Sequence, residues 1–292
     1  MKQLKPAYFY LALTILFWST VPAVAKLALA ELDNYQLLSY SVIVGTLSLL
    51  FINLFQRKLG LLAKYAKADY LKMFVMGILG IFLYHIFLYG SFALVPAGQA
   101  NVMNYLWPVF VIVFSIPILK EKFNYKTILA VFVSFVGALI AFSGGNFYVL
   151  SGGYAAGYLL AALGAICYGL FSVLGKKFDY DKSSSMLFYH ISAAVLLIPA
   201  TFLLSGFVIP KSIVTVISII ILGGVVNSIG FVFWFKAIKL GHTHKTANMV
   251  YAVPFLAMLW TYFLNSEPFS VTAIIGLVFI VAGILIQLKN KT

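Results

Sequence analysis

Ten long apolar stretches, separated by short polar breaks, run along the whole chain. Each is close to the length of about 20 residues that an α-helix needs to cross the hydrocarbon core of a bilayer. The breaks are rich in Gly, Pro, Ser or Lys, which favour turns over buried helix. The pattern therefore predicts ten transmembrane helices, at roughly 7–29, 34–56, 70–94, 97–119, 124–143, 153–177, 184–206, 211–238, 243–264 and 270–288.

Composition excludes a soluble fold. The 292 residues are 63% hydrophobic and only 9% charged, whereas a soluble domain carries about 25% charged residues. The net charge of +13 would suggest nucleic acid binding in a soluble protein, but here the lysines stand at the ends of apolar stretches. We therefore expect an all-α membrane protein whose surroundings are the lipid bilayer, with no nucleic acid partner.

Basic residues also predict the orientation of the helices. With ten spans, eighteen of the twenty Lys and Arg residues fall on one side of the membrane. Cytoplasmic loops carry such an excess of positive charge. We expect a multi-pass protein of the cytoplasmic membrane with both termini in the cytoplasm. The first stretch is too long for a signal-peptide core and lacks a small-residue cleavage site, so it should remain as a helix.

The two halves of the sequence repeat. Residues 12–26 align with 162–176 at a spacing of 150, and residues 105–123 align with 251–269 at a spacing of 146. The second alignment matches Tyr105 with Tyr251, Pro108 with Pro254, and Glu121 with Glu267. We divide the chain into repeats at 1–146 and 147–292, each with five spans. An odd number of spans makes the second repeat inverted, and inverted repeats are typical of secondary transporters.

These matched features resemble the drug/metabolite transporter superfamily, in its ten-helix EamA-type branch. Each matched Pro helix is followed by a Glu and then by a glycine-containing helix, with Gly137 in the first half and Gly283 in the second. The segment from Asn104 to Pro108, NYLWP, is similar to one in the aromatic amino acid exporters of that superfamily. The resemblance implies two inverted five-helix repeats forming a basket around a central cavity, lined mainly by helices 1, 3, 4, 6, 8 and 9. It also implies export of amino acids or related metabolites without ATP.

Polar side chains within apolar stretches are the first candidates for substrate contacts. Hydrocarbon penalises such groups unless the protein satisfies them, and they often mark transport pathways. His85 can bond a carboxylate and changes charge near neutral pH. Asn101 and Asn104 share one helix face, and helix 9 offers a comparable pair, Asn248 and Tyr251. The alternative is that these groups only join helices through hydrogen bonds, worth about 0.6 kcal/mol each in a membrane.

Aromatic residues are the second set of candidates. Rings near the middle of a span cannot belong to the interfacial aromatic belts, so they could stack on a flat or apolar ligand or cover a cation with their faces. The alternative is ordinary packing or contact with lipid, since Phe, Trp and Tyr make up 17% of the chain. The ring-bearing candidates for substrate binding are Trp18, Tyr84, Tyr105, Trp107 and Tyr168.

Three prolines inside spans are candidates for hinges or gates. Pro22, Pro108 and Pro254 each remove a backbone donor and free a carbonyl, although a fixed kink would serve only packing. Glu121 and Glu267 stand at helix ends, where a structural role is expected, at the positive end of the following helix or paired with a lysine.

Two lysines near helix ends leave alternatives open. Lys26 is expected to extend to the outer surface. Together with Lys176, it could instead guide an anion.

The sequence lacks the patterns of several other classes. No Asp or Glu lies in the central part of a predicted span, which disfavours proton-coupled export of cations unless a histidine replaces the acid. No GxxxxGK[ST] loop, catalytic triad or zinc-ligand cluster occurs, and Cys167 is the single cysteine. We therefore expect neither an enzyme nor a bound cofactor or metal.

The sequence predicts a secondary transporter, an exporter of amino acids or related small metabolites that works by alternating access. The alternatives are a multidrug or organic-cation exporter, an importer of the same fold, and a membrane enzyme or scaffold. Nothing in the sequence requires an oligomer, and a monomer is the simplest expectation.

Overall fold

The structure, a computed structural model, describes residues 4–95, 103–122, 125–143, 155–266 and 271–289. All of its regular elements there are helices. In the first half they are α1 (Leu4–Ser19), α2 (Val21–Ala28), α3 (Asn34–Phe55), α4 (Leu59–Leu62), α5 (Lys67–Gly77), a first π-helical segment (Ile78–Leu83), α6 (Tyr84–Leu94), α7 (Trp107–Leu119) and α8 (Tyr125–Ser143).

The second half follows the same order of long helices. Its elements are α9 (Ala155–Lys177), α10 (Lys182–Leu204), α11 (Ile213–Ile220), a second π-helical segment (Ile221–Gly230), α12 (Phe231–Leu240), α13 (Thr243–Met249), α14 (Ala252–Asn265) and α15 (Val271–Lys289).

Seven of the continuous helical stretches are long and apolar enough to cross a membrane, and three shorter apolar helices accompany them. The shorter ones are Trp107–Leu119, Tyr125–Ile140 and Ile274–Ile286. The described residues contain no β-strand. The prediction of an all-α, multi-pass membrane protein is therefore confirmed.

Helix bounds repeat between the halves at the spacing found in the sequence. The stretch from Ile213 to Leu240 starts and ends 146 residues after the stretch from Lys67 to Leu94. Helix α15 likewise starts and ends 146 residues after α8. Both long stretches contain a π-helical segment at the matching place. Segments of this kind are rare and occur often at functional sites.

The three prolines that the sequence identified coincide with interruptions of helices. Thr20 separates α1 from α2, and Pro22 follows within the first turn of α2. Pro108 stands in the first turn of α7, after a turn at Tyr105, and Pro254 follows the corresponding turn at Tyr251. Because proline lacks an N–H and its ring clashes with the preceding turn, the regular helix is interrupted next to each of these prolines.

Glycine allows a close helix contact between α8 and α15. A Cβ atom on Gly137 would lie 2.6 Å from the carbonyl oxygen of Gly276, and a Cβ atom on Gly283 would lie 2.6 Å from that of Ala130. No side chain fits at either point. The two matched glycines therefore let the last helices of the halves cross backbone to backbone.

Two side chains cap the helices that follow short connections. Asp33 accepts a hydrogen bond from the backbone N–H of Gln36 at 2.9 Å, and the Gln36 side chain accepts one from the N–H of Asp33 at 3.1 Å. Asp181 does the same for the first turn of α10 through Ser183 and Ser184. These caps satisfy amide groups that a helix start leaves open, and so fix where α3 and α10 begin.

Candidate functional site

A cavity of about 430 Å³ lies among the helices, with lining residues from α1, α2, α3, α6, α7, α9, the second π-helical segment, α12 and α14. This volume is in the range of small-molecule sites, about 300–1,000 Å³. Most of the residues that the sequence predicted to bind substrate line it. They are Trp18, Tyr84, His85, Asn104, Tyr105, Trp107 and Tyr168, together with the predicted hinge Pro22.

Aromatic rings form the floor of the cavity. The ring centroids of Trp107 and Tyr168 are 4.9 Å apart and those of Tyr84 and Tyr168 are 4.7 Å apart. Trp18 lies 5.9 Å from both Trp107 and Tyr168. Most of these rings meet edge to face, the arrangement that favourable aromatic pairs adopt. The cluster can therefore present ring faces and edges to an apolar or flat ligand.

Trp234 supports this floor from behind. Its side chain is fully buried, and its indole N–H donates to the Ser172 hydroxyl at 3.0 Å. The centroid of its ring lies 5.5 Å from that of Trp18 and 5.3 Å from that of Trp107. A single hydrogen bond thus orients the ring against which both cavity tryptophans pack.

His85 lines the cavity with its ring orientation set by the backbone. Its side chain is buried, and Nδ1 lies 2.7 Å from the carbonyl oxygen of Ile81. Because a carbonyl only accepts hydrogen bonds, Nδ1 must carry the proton, and Nε2 of the neutral ring is then an acceptor. His85 also contacts Tyr84 and Tyr89 edge to face. The arrangement offers an acceptor for an N–H or O–H group of a ligand.

Three buried polar atoms of the cavity residues have no hydrogen-bond partner among the described residues. They are Nε1 of Trp18, Oδ1 of Asn104 and the hydroxyl of Tyr168. The amide nitrogen of Asn104 makes one long contact with the Tyr84 hydroxyl, at 3.4 Å. Unpaired buried atoms are uncommon, and each costs about 1–3 kcal/mol. A ligand that reached them would find one donor, one acceptor and one hydroxyl.

The lining of the cavity contains no Asp or Glu among the described residues, and Lys26 is its one charged side chain there. Lys26 takes part in an interaction of its own. Without a carboxylate, the described lining offers a cation no opposite charge, and only the ring faces could attract it. The selectivity of the cavity therefore rests on ring faces and neutral hydrogen-bonding groups.

The structure places two predicted binding residues away from the cavity. Asn248 and Tyr251 are fully buried and do not line it. The amide nitrogen of Asn248 lies 3.4 Å from the carbonyl oxygen of Gly283, and the Tyr251 hydroxyl donates to the backbone oxygen of Tyr105 at 3.2 Å. In this arrangement both residues join helices. Asn101 and Glu267 lie outside the described residues.

The two other predicted hinges stand close to the cavity. Trp107 and Val253 line it and directly precede Pro108 and Pro254. Both prolines are buried. A change of angle at either proline would therefore move a cavity wall.

Glu121 belongs to a polar cluster beyond the end of α7. Its Oε1 atom lies 2.8 Å from Nζ of Lys176 and accepts a hydrogen bond from the Thr243 hydroxyl at 2.5 Å. The Lys176 ammonium also donates to Thr243 at 2.7 Å. The Glu121 and Lys176 side chains are about a fifth exposed, 21% and 18%. Lys176 is thus engaged in an ion pair, an arrangement that disfavours a role in guiding a free anion.

Electrostatics keep Glu121 ionised. Burial raises the pKa of this carboxyl, and the neighbouring His244, Lys176 and Thr243 side chains more than reverse that effect, so the pKa falls to about 2. His244 Nδ1 is 3.8 Å from Oε2, which is too long for a hydrogen bond. The ion pair with Lys176 and the bond from Thr243 therefore have the better geometry and account for most of the stabilisation.

Sequence reasoning missed three polar residues of the cavity, Asn34, Ser41 and Asn227. Asn227 was visible as an amide within the apolar stretch 211–238, the signal that had identified Asn101 and Asn104. Asn34 and Ser41 gave no such signal, because an Asn at a helix start and a Ser inside an apolar helix are both common without function. No three His, Cys, Asp or Glu side chains of the described ranges come together in a way that could hold a metal ion.

Comparison with known proteins identifies relatives along the whole chain. A transporter of Archaeoglobus fulgidus is 28% identical over 97% of this chain and 98% of its own. The aromatic amino acid exporter YddG of Ancylobacter novellus is 26% identical over 64% of this chain and 65% of its own. A probable terminal-alkyne amino-acid exporter of Streptantibioticus cattleyicolor is 26% identical over 97% and 94%. A crystal structure with 22% identity covers 98% of both chains with a TM-score of 0.87, which shows the same fold.

The family comparison agrees with the internal repeat. The EamA-like transporter family matches twice, over residues 5–143 and over residues 155–288. These two matches cover most of the chain, and they lie on either side of the repeat boundary expected from the sequence. The resemblance to the drug/metabolite transporter superfamily is thereby confirmed, and the protein is a membrane transporter, not an enzyme. The chain belongs to the EamA-like transporter family.

Proposed function

We propose that this transporter exports amino acids or related small metabolites across the cytoplasmic membrane, as a secondary transporter with alternating access. The observation that carries the proposal is the cavity of about 430 Å³, which combines an aromatic floor with uncharged hydrogen-bonding groups. Support also comes from the names of two relatives, an aromatic amino acid exporter and a probable terminal-alkyne amino-acid exporter.

The mechanism follows from the repeat. Ten spans, in two inverted repeats at 1–146 and 147–292, would place the cavity between two similar halves, and rocking of the halves would open it to one side at a time. The helix breaks before Pro22, Pro108 and Pro254 supply the places where helices can change angle. Both termini would then lie in the cytoplasm.

Within the cavity, we assign the apolar part of the substrate to the rings of Trp18, Trp107 and Tyr168. Polar groups of the substrate would bond to His85, through its Nε2 acceptor, and to Asn104. Tyr84 and Tyr105 complete this side of the wall. Aromatic contacts of this type are worth about 0.5–1.5 kcal/mol each beyond the area they bury.

The test is flux of radiolabelled amino acids in proteoliposomes. Trp107→Ala and Tyr105→Ala should each lower the initial rate by about tenfold or more, because truncation removes ring contact and opens the cavity floor. Phe202→Ala is the matched control, since this ring is 71% exposed on α10 and does not line the cavity. Equal flux in the control and in both cavity variants, at equal membrane insertion, would refute the site assignment.

Three alternative functions give different results in the same vesicles. An organic-cation exporter would move cationic dyes and not amino acids, and the cavity lining disfavours it because no described lining residue is an acid. An importer would accumulate label in right-side-out vesicles and not in inverted ones. A scaffold would give the flux of empty liposomes.

A further inference from the structure

One wall of the cavity is formed by two elements that the aromatic floor does not include. Helix α3 contributes Asn34, Leu37 and Ser41, and the second π-helical segment contributes Val226 and Asn227. The positions 34, 37 and 41 are spaced so that they share one face of a helix. The wall is therefore a surface with polar groups on both of its helices.

Glycine holds the two elements of this wall together. A Cβ atom on Gly223 would lie 2.5 Å from the backbone oxygen of Ser41, and one on Gly45 would lie 3.1 Å from the backbone oxygen of Gly223. The backbones are therefore in direct contact one turn away from Asn227. At this separation no side chain fits between the two backbones. Ser41 and Asn227 line the same cavity beside this contact.

The polar side chains of this wall are not used by the fold. Ser41 is buried, 3% exposed, and Asn34 and Asn227 are half-buried; none of the three makes a side-chain hydrogen bond to another described residue. Polar groups buried inside membrane proteins normally pair with one another or with backbone oxygen, or lie on a substrate pathway. No described residue bonds to these side chains, but a ligand in the cavity could reach them.

The chemistry of the wall indicates the type of group it would bind. A carboxamide and a hydroxyl can each donate and accept hydrogen bonds. None of the three residues carries charge, and Lys26, the charged residue among the described lining, has an interaction of its own. A group that both donates and accepts, and is itself uncharged, matches such a wall best. Hydroxyl and carboxamide groups are the common examples among small metabolites.

We propose that Asn34, Ser41 and Asn227 form a second polar subsite, which selects substrates bearing an uncharged hydroxyl or carboxamide group. The inference rests on the proposed function, because it assumes that the cavity holds the transported molecule. It assigns a specificity role to α3 and to the second π-helical segment, neither of which takes part in the aromatic floor. Asn227 is the residue of the subsite whose substitution tests it.

The experiment compares pairs of amino acids of similar shape. Proteoliposomes are first screened with each proteinogenic amino acid for exchange of label, and the best labelled substrate is then competed with unlabelled tyrosine or phenylalanine, and with asparagine or leucine. The measured quantity is the ratio of half-inhibitory concentrations within a pair. In the wild type the polar member should compete about threefold to tenfold better, the effect of one hydrogen bond.

Variants of Asn227 then test the assignment. Asn227→Leu keeps the size of the side chain and should bring the ratio close to one, whereas Asn227→Ser keeps a donor and acceptor and should retain part of the preference. Val225→Ala is the control, because Val225 lies in the same π-helical segment and does not line the cavity. It should leave the ratio unchanged.

The outcomes separate the subsite from the transport function. Exchange with no preference for the polar member, or a preference that survives in Asn227→Leu, would overturn the subsite and leave the proposed function standing. If the wild type exchanges no amino acid at all, amino acid transport is refuted and the subsite for amino acid side chains falls with it. Loss of preference in Asn227→Leu, with exchange of phenylalanine or leucine retained, supports both.

Discussion

The ion pair between Lys176 and Glu121 provides the most direct test of the energetics of this fold. We consider Lys176→Met, which keeps much of the apolar stem and removes the ammonium. In the variant, Glu121 would keep the bond from Thr243, but its charge would lose the nearest cation, which lies 2.8 Å away in the wild type. We expect a clear loss of stability with little change in the shape of the protein.

The magnitude follows from the distance and the burial of the pair. Two unit charges at this separation attract by about 6 kcal/mol at an effective dielectric of about 20. Much of that is offset by the cost of removing both charges from water. Breaking a fully buried pair costs about 3–5 kcal/mol, and breaking an exposed pair about 0–1 kcal/mol. With both side chains about a fifth exposed, we expect Lys176→Met to lose about 2–4 kcal/mol.

The assay is the free energy of unfolding in mixed micelles, followed by circular dichroism during titration with sodium dodecyl sulfate. Lys239→Met is the matched control, because Lys239 pairs with Asp179 at the surface, with side chains 44% and 80% exposed. That variant should lose at most about 1 kcal/mol. The double variant Lys176→Met/Glu121→Gln should recover much of the loss, because it no longer leaves a carboxylate without its cation.

The pH dependence of the effect is also fixed. A carboxyl whose pKa is lowered by folding contributes its full stability above its ordinary pKa, 4.5 for Glu121, and loses it only as the pH falls towards about 2. Titration of Glu121 itself should therefore leave the difference between wild type and Lys176→Met unchanged between about pH 6 and pH 8. Either of two results would refute the reasoning. One is a double variant that is no more stable than Lys176→Met, and the other is a loss of stability in Lys176→Met no larger than that in Lys239→Met.

Three further predictions concern packing, a buried hydrogen bond and acid stability. Gly137→Ala should destabilise the protein by about 1–3 kcal/mol in the same assay, because its Cβ would lie 2.7 Å from the backbone nitrogen of Ile280. Ser172→Ala should cost about 1–3 kcal/mol by leaving the buried Trp234 N–H without an acceptor. Burial raises the pKa of Asp181 and its hydrogen bonds lower it to about 2, so its contribution should persist above about pH 4 and disappear towards pH 2 in an acid titration.

Much of the fold could be predicted from the sequence, because a helix that crosses the bilayer must be apolar over about 20 residues. Apolar length determined where helices run: the expected stretch 34–56 became Asn34–Phe55, with its start fixed by the cap at Asp33. The prolines identified the helix breaks, since a missing N–H has the same effect wherever it occurs.

The π-helical segments could not be predicted in this way. Their register depends on how neighbours pack: a Cβ on Gly80 would lie 2.2 Å from the ring of Phe171, and one on Gly223 would lie 2.5 Å from a backbone oxygen of α3. Such contacts join residues far apart in sequence, and the periodicity of apolar residues does not reveal them. Asn227 is a different case, because an amide within the apolar stretch 211–238 was visible in the sequence and only its place in the cavity wall depends on that packing.

The predicted site residues of the first half lie at the cavity more often than those of the second half. His85, Asn104 and Trp107 line the cavity, whereas Asn248 and Tyr251 do not. The repeat suggested that the polar pairs on the predicted spans 97–119 and 243–264 would both bind substrate. Repeats preserve the backbone more faithfully than side-chain roles, and the Tyr251 hydroxyl shows it by bonding to the backbone of its own counterpart, Tyr105.

The single cysteine has a practical consequence. Cys167 is buried, directly before Tyr168 in the cavity floor, and the sequence holds no other thiol. One substitution, Cys167→Ala, therefore yields a protein without any thiol, with only a small change of volume. A cysteine placed at 34 or 227 in that background would be its one reactive group. Its rate of labelling from either side of the membrane would then report directly on which face of the cavity is open.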